Sequence, residues 1–558
     1  MNENAKTGLY IGAAAALAVI AVFSSPGTAE PEFFSDVGEE FFEGFTDPGK
    51  ATSLEVWEVD AEVGEAIPFN VKQEKGRWLI PSHYDYPADA ENRMSDAAAL
   101  LVGLTKASVR SDSKEDHASF GVVDPTEQSL AMEGRGKRVT FKDEVGRVLA
   151  DLIIGKEVED HAGMRYVRIP EKKRTYTAKI ATELSTKFED WIERDLLGVS
   201  SVDIKKLVFD NYSVDEKRGA LVPGEKLVVE KDGDAWKIND LKDGEEINED
   251  KRREAAETLA ELKIVGVRQK PEGLTARLER SQGIEREILA TSLQRKGFFL
   301  SRGKLYSNDG DLLAMDDKGT VYTLRFGEVV YGSGSVVTSG QQESGRKKIG
   351  EQGDGGADVG PKEEKGTHRY LMITAHFDEA LLGKPDGEPL SKEQLDKRKI
   401  ARQDLEDLVA AVEKFQGQND KKLPENLADL TVGDDAPLKE LKKDPWERDY
   451  VYAKADEGFT IRSLADDGSE GGSGAGSDVV SDKLSAEDDL TRISDDHEAH
   501  KKKVEEGEKR AEGLTTRFGP WYYVIDGEAF SKLHLGRAEL VKKKADDKAP
   551  AAEQSDKK

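Results

Sequence analysis

The sequence predicts an α+β chain: duplicated α/β-sheet domains, an N-terminal transmembrane helix, and an α+β module inserted into the second copy. Three observations carry this reading. First, residues 69–110 and 226–268 repeat one order of elements: a strand, a tight turn, a short Trp-bearing strand, a polar linker, a helix and a closing Val-Arg. Trp78 to Val109 and Trp236 to Val267 both span 31 positions, and a shared period with a shared order marks an internal duplication. Second, residues 9–24, LYIGAAAALAVIAVFS, carry no charge. Third, the strands that close the first copy recur in the second, the last of them only after about 140 residues, which is too long for a loop.

Composition sets the outer bounds. A chain of 558 residues exceeds one hydrophobic core, so several domains are expected. Apolar content of 37% with 53 glycines implies folded units joined by soluble spacers. The net charge of -28 repels a phosphate backbone and argues against a nucleic-acid partner. With no cysteine, disulfides, thiolate metal sites and cysteine nucleophiles are excluded.

Residues 1–29 form the predicted membrane anchor. The apolar run is short against the roughly 20 residues a spanning helix needs, with Ser24 to Ala29 available to extend it. Lys6 precedes it and acids follow, which keeps the N-terminus inside and translocates the rest. A cleaved secretory signal ending near Ala29 and a buried soluble helix are the alternatives. Residues 30–50 interleave Phe33, Phe34, Phe41, Phe42 and Phe45 with acids, suiting an interfacial or partner-binding segment, or a short helix packed on the first domain.

The first repeat domain is expected over 51–200. SLEVWEV at 53–59 alternates like a half-buried strand. The Trp78 unit follows, with Ala98, Leu101 and Leu104 on one helix face. Residues 137–158 read as two strands about a DEVG turn, and 165–169 and 174–180 as two more. LSTKFEDWIERDLLG at 184–198 spaces Leu184, Phe188, Trp191, Ile192 and Leu196 like an amphipathic helix stopped by Gly198.

The second repeat domain takes 201–377 and 514–541. Residues 319–327 mirror 146–155, 369–373 mirror 165–169, and 521–533 mirror 175–188. Within it, 331–367 is Gly-, Ser-, Glu- and Lys-rich and reads as a disordered loop. The inserted module occupies 378–485 and a charged helical arm 486–513, and 542–558 is a disordered tail.

No catalytic constellation emerges, and the expectation is a non-enzymatic protein. The eight histidines make no close ligand set, and His497 and His500 lie in a charged helical stretch that reads as a solvated face. GRGKRVT at 134–140 lacks the phosphate-loop spacing, and GSGSVVTSG at 332–340 lacks a nucleophile elbow. Trp78, Trp236, Trp191 and Trp521 recur at matched positions and read as core anchors.

Two resemblances add to this. RVLADLIIGKEV, RYVRI, FEDWIERDLLG, KLVVEKDGDAWKI, VYTLRFGEV and RFGPWYYVIDGEAF together resemble domain-of-unknown-function family 4340. That resemblance covers residues 5–330 and the final strands, and it implies an envelope protein with one membrane segment and repeated α+β domains outside. Some members neighbour an ABC-type transporter associated with gliding motility. The family supplies no catalytic residues. The insert, with Pro424, Asp444-Pro445-Trp446, Tyr450-Val451-Tyr452, Ser463-Leu464 and the Gly-rich stretch from Asp467 to Asp478, resembles the soluble part of a type II secretion major pseudopilin. Lys and Asp stand where a pilin's apolar stalk would precede Ile400, so fibre packing through a stalk is not implied.

The pseudopilin resemblance also implies a calcium loop. Ca2+ takes six to eight hard oxygens from carboxylates and carbonyls. Asp467 and Asp478 match acidic positions, the carbonyl of Leu464 is a further ligand, and Asp466 is an extra acid where the family's acid is replaced by Gly476. A metal-free Gly-Ser linker is the alternative. The expected role is a scaffold or accessory subunit of a bacterial envelope transport, secretion or motility complex, anchored once in the inner membrane with the bulk of the chain on the periplasmic side. A calcium-dependent extracytoplasmic binding module is the alternative, and an enzyme of unknown class the third choice.

Overall fold

Strand β1 (Ser53–Asp60) buries Leu54 and Val56 while its alternate residues face outward, as its period-two pattern demands. It starts a nine-stranded sheet with β2 (Glu65–Glu74), β3 (Arg77–Ile80), β4 (Tyr86–Pro87), β5 (Ser108–Ser111), β6 (Lys137–Lys142), β7 (Val148–Glu157), β8 (Met164–Arg168) and β9 (Thr175–Lys179). The spatial order is β4-β3-β2-β1-β6-β7-β8-β9-β5. The coordinates are a computed structural model. It describes residues 7–8, 11–17 and 36–544, apart from 61–63, 128–131, 216–217, 219, 272–273, 275–283, 302–303, 333, 341–366 and 456–457.

The second repeat runs β10 (Ile204–Asp210), β11 (Ser213–Asp215), β12 (Ala220–Val222), β13 (Lys226–Asp232), β14 (Ala235–Ile238), β15 (Glu245–Ile247), β16 (Gly266–Gln269), β17 (Phe298–Ser301), β18 (Lys304–Ser307), β19 (Asp311–Asp316), β20 (Thr320–Val330) and β21 (His368–Phe377). The insert supplies β22 (Val451–Ala455), β23 (Gly458–Ser463) and β24 (Val479–Val480), and β25 (Trp521–Asp526) and β26 (Val541–Lys543) return to the repeat. Its main sheet has the order β14-β13-β10-β19-β20-β21-β25-β16. Strand for strand this is the order of the first sheet without β4. The register repeats as well: Trp78 faces Gln73 and Trp236 faces Lys231, while Val109 faces Tyr176 and Val267 faces Tyr523.

Helix α1 (Glu91–Ala99) covers the first sheet through Met94, Ala97 and Ala98, and the short α2 (His117–Phe120) follows β5. The helix stops before Leu101 and Leu104, which are buried from the turns that follow it. Helix α3 (Glu249–Ala260) does the same for the second sheet through Ala255, Ala256 and Leu259. One continuous apolar core joins both repeats, with Tyr86 edge-on to Trp521 at 5.0 Å across the junction. A second core forms around Leu293, Phe298, Tyr370 and Tyr522 between α4 (Ile284–Gln294), β17 and the outer face of the second sheet.

Several expectations need correction. Residues 184–198 form only a 3-10 turn at Phe188–Asp190. Phe188 and Leu197, which a helix would set on opposite sides at about 100° per residue, are both buried, so a one-faced helix does not fit. The Asp89 N–H also takes the Trp191 carbonyl at 2.9 Å. Part of the loop expected at 331–367 is ordered: α5 (Gly334–Thr338) buries Val336 and Val337 against the sheet, and 341–366 lies outside the described residues. In the 30–50 segment, Phe41 meets Tyr176 edge-on at 5.4 Å and Phe45 is buried beside Phe141, so residues 36–50 pack on the first domain through turns and one short 3-10 helix at Pro48–Lys50. Phe33 and Phe34 lie outside the described residues.

The predicted anchor falls largely outside the described residues; 11–17 are helical. Among the described residues, no helix is long and apolar enough to cross a membrane.

Between β21 and β25 the chain leaves the sheet. Helix α6 (Lys392–Gln418) opens with a Ser391/Gln394 capping box and buries Arg398, Ala401, Leu405, Leu408 and Val412. Strands β22, β23 and β24 pack on that stripe with Leu427, Tyr450, Ile461 and Val479. Helix α7 (Ser485–Phe518) carries the chain back, followed by β25, α8 (Gly527–Leu533) and α9 (Arg537–Leu540). It is more than a solvated arm. Arg510 donates to Asp316 (3.0 Å), Tyr322 (2.9 Å) and the Gly198 carbonyl (2.5 Å), pinning the helix to both repeats. Gly507 lets it lie on β21, since a Cβ there would stand 2.3 Å from the Phe377 ring.

Candidate functional site

The predicted calcium ligands fall on one loop between β23 and β24. Asp478 sits at its end with a side chain only 6% exposed. Its Oδ2 accepts from Gly471 N at 3.1 Å and Arg462 Nη1 at 3.4 Å, while its Oδ1 is buried without a partner among the described residues. Asp467 Oδ1 accepts from Ser469 N at 2.9 Å. Its Oδ2 lies where Gly472 and Gly476 lack side chains, 3.0 and 2.7 Å from the Cβ each would carry. The loop thus closes tightly around Asp467. The Leu464 carbonyl already accepts from Gly468 N at 3.0 Å and retains its second lone pair.

This oxygen-only set, with an orphaned buried carboxylate oxygen, suits a hard cation. Two features weaken it. Asp466 is exposed and its carbonyl accepts from Arg448 Nη2 at 3.3 Å. Among the described residues no group of three or more His, Asp or Glu side chains is placed to hold a metal, so Asp466 does not complete a triad with Asp467 and Asp478. Arg462 already places positive charge on Asp478 and stands 3.7 Å from Glu470.

The residues that fix this loop were not singled out from sequence. Arg398 of α6 donates twice to Glu487 of α7, both at 2.7 Å, and also to the Ala475 carbonyl and Ser477 Oγ, both at 3.1 Å. The pair is buried, with side chains 3% and 9% exposed. One guanidinium therefore ties the loop to two helices. The available signal was spacing, because Arg398 stands in step with Ala401, Leu405, Leu408 and Val412 on the buried stripe. Asp444 of the Asp-Pro-Trp turn is similarly buried and accepts from Trp446 N, Arg448 N and Ser463 Oγ, which gives that acid a structural role.

A second concavity of about 480 Å3 lies between the repeats, lined by Glu58, Asp60, Phe69, His83, Phe188 and Ser335 among others. His83 stacks on Phe188 at 4.6 Å, and burial, with Arg268 nearby, drives its pKa down to about 3, so it stays neutral. Its Nδ1 meets Ser82 Oγ at 3.0 Å. Asp60 accepts from Ser335 N and Oγ, and Glu58 from Lys137 and Thr186. Only the Asp60–Ser335 contacts cross between the repeats; the others lie within the first. His497 and His500 contact the Gly387 carbonyl (3.0 Å) and Glu379 (3.4 Å), joining α7 to the start of the insert.

Comparison with family models gives two matches. Residues 78–279 match the family described as Domain of unknown function (DUF4340), and residues 390–482 match Type II secretion system (T2SS), protein G. Both families are those the sequence resembles. The first match runs from β3 of one repeat past β16 of the other and covers just over a third of the chain, less than the span expected. No curated protein matches the chain.

Proposed function

We propose that this chain is a non-enzymatic scaffold or accessory subunit of a bacterial envelope complex with a transport, secretion or motility role. The observation that carries the reading is a secretion-type module built into a repeat domain: the T2SS protein G match falls wholly between β21 and β25. Both ends of the module are held, by Arg398–Glu487 at the loop and by Arg510 on the repeats. Such fixation suits presentation of a surface to a partner better than a substrate cycle. Anchorage in an inner membrane through residues 9–24, with the remainder periplasmic, belongs to the same proposal and rests on the apolar run and its flanking charges. An ABC-type transporter or a secretion-like assembly is the expected partner. Co-purification from detergent-solubilised membranes tests it. Recovery of the intact chain alone in the soluble fraction sinks it.

The orphaned Asp478 Oδ1 favours a second reading, in which the insert binds Ca2+ and needs it to present that surface. Leu464, Asp467 and Asp478 would hold the ion, which would supply rigidity to the loop. Calorimetric titration of the full chain with calcium is expected to give heat and a raised melting temperature, both lost in Asp478→Asn. An unchanged melting temperature at millimolar calcium rules this reading out.

A further inference from the structure

Arg448, Arg398 and Arg462 all meet the loop from Leu464 to Asp478, and they act on it differently. Arg448, close after the Asp444 turn, donates to the Ala465 carbonyl and, at 3.3 Å, to the Asp466 carbonyl. Arg398 takes the other limb through the Ala475 carbonyl and Ser477 Oγ. Both hold the loop by uncharged oxygens. Arg462 reaches the acids instead. It lies opposite Val480 in the β23–β24 pairing, and Asp478, two positions before Val480, falls on the same side. Its Nη1 stands 3.4 Å from Asp478 Oδ2 and 3.7 Å from Glu470.

The Arg462–Asp478 pair is only half made. A guanidinium and a carboxylate often join through two parallel bonds of about 2.7–2.9 Å, as Arg398 and Glu487 do at 2.7 Å. Arg462 gives Asp478 one long bond, while its own Nε and Asp478 Oδ1 are both buried with no partner among the described residues. Two unmet buried polar atoms weaken the contact, so it is easily given up. The Asp478 side chain is nevertheless 6% exposed, and a carboxylate so far from water needs a cation beside it. Glu470 is exposed and offers the guanidinium a second partner at the surface.

We propose that Arg462 is a stand-in cation: it balances Asp478 while the loop holds no ion, and yields that carboxylate to Ca2+ while keeping Glu470. This rests on the calcium reading of the insert. Two cations crowded against one buried carboxylate repel each other, so binding becomes an exchange of one for the other. Arg462 then sets the affinity as much as the ligands do. In the calcium-loaded loop it no longer contributes, so replacing it costs stability without calcium and nothing with calcium.

Calorimetric melting of the full chain, in chelator and at saturating calcium chloride, tests this with Arg462→Gln and the charge-keeping Arg462→Lys. In chelator, Arg462→Gln is expected to lower the melting temperature of the insert, with Arg462→Lys nearer the parent. At saturating calcium the deficit is expected to vanish. Calcium titration is then expected to give a dissociation constant about five-fold tighter in Arg462→Gln, because the lost stability and the gained affinity are linked. A deficit of equal size in chelator and in calcium, with equal affinities, overturns the proposal and leaves the calcium reading standing, and so does the lack of any deficit in chelator. Arg462→Gln that binds calcium where the parent does not supports the exchange and overturns the calcium reading for the parent chain. No response to calcium in either chain overturns the calcium reading and the stand-in with it.

Discussion

Replacing Arg398 with Ala is expected to be the most damaging single change in the inserted module. The guanidinium makes four hydrogen bonds, two to Glu487 and one each to Ala475 and Ser477, at a site 3% exposed. At an effective dielectric near 20, two unit charges about 4 Å apart attract by about 4 kcal/mol. Removing one partner also strands the Glu487 carboxylate in the interior. Breaking a buried pair in this way typically costs about 3–5 kcal/mol, whereas replacing both partners with apolar side chains is often near neutral. For a module of about a hundred residues, such a loss lowers its melting temperature by roughly 15 °C or more.

The assay is calorimetry on the full chain with Arg398→Ala, Glu487→Ala and the double replacement Arg398→Met/Glu487→Leu. Either single change should shift the insert's transition strongly, and the double should recover most of it. If the guanidinium is the tie described, cleavage of the 464–478 loop by a protease should rise most in Arg398→Ala, since Ala475 and Ser477 lose their donor there. Single variants within about 1 kcal/mol of the parent, below the usual cost of breaking a buried pair, would refute the reasoning. A double variant as damaged as the singles would refute it equally.

Other expectations follow from the same geometry. Gly507→Val should cost about 1–3 kcal/mol through overpacking against Phe377, although valine is the better helix former; a melting temperature at or above the parent's would show that α7 does not lie so close to β21. Burial, with Arg325 nearby, holds the Lys270 ammonium down to about 7 from 10.5, so the unfolded chain binds more protons between those values and stability rises with pH across that window. Lys270→Met should be more stable than the parent at pH 7 and flatter from about 7 to 10.5, as denaturant titrations at several pH values would reveal; parallel curves would contradict this. His83, held down to about 3 from 6.5, adds stability that is lost as pH falls from about 6.5 to 3, and His83→Phe should flatten that limb of the acid-unfolding curve.

Much of the architecture was legible because duplication leaves a checkable imprint. Trp78 and Trp236 can be laid over each other by spacing, and Tyr166 and Tyr370 by the RYVRI and RYLMI strands that carry them, and the matched sheet orders follow the same correspondence. What spacing could not show was tertiary use. The 184–198 segment has helical periodicity, yet its apolar residues serve the junction of two repeats and bury in more than one direction. The Gly-Ser character of 331–340 concealed Val336 and Val337, two residues enough to seat α5 over Arg268. At the candidate calcium loop the acids were visible, but the partners of Arg462 and Arg398 were not: spacing places Arg398 on the buried stripe of its helix without showing that Glu487, Ala475 and Ser477 meet it there.

The place of the insertion explains why a repeat tolerates it. In repeat 1, β8 and β9 are joined by residues 169–174; in repeat 2 the equivalent strands β21 and β25 are joined by 378–520. The added closure entropy grows only logarithmically with length, so a long excursion at a hairpin end costs little if it folds by itself. The insert has its own core around Leu405, Val412 and Ile461. The remaining problem is the edge. Strand β21 pairs with β25 only from His368 to Leu371, leaving its far half without that neighbour. Helix α7 covers this half: Phe377 lies against Gly507, and Thr515 Oγ1 donates to the Ala375 carbonyl at 3.2 Å. The returning helix therefore closes the sheet that the insertion opened, which makes the orientation of the module a consequence of the repeat's need to satisfy its own edge.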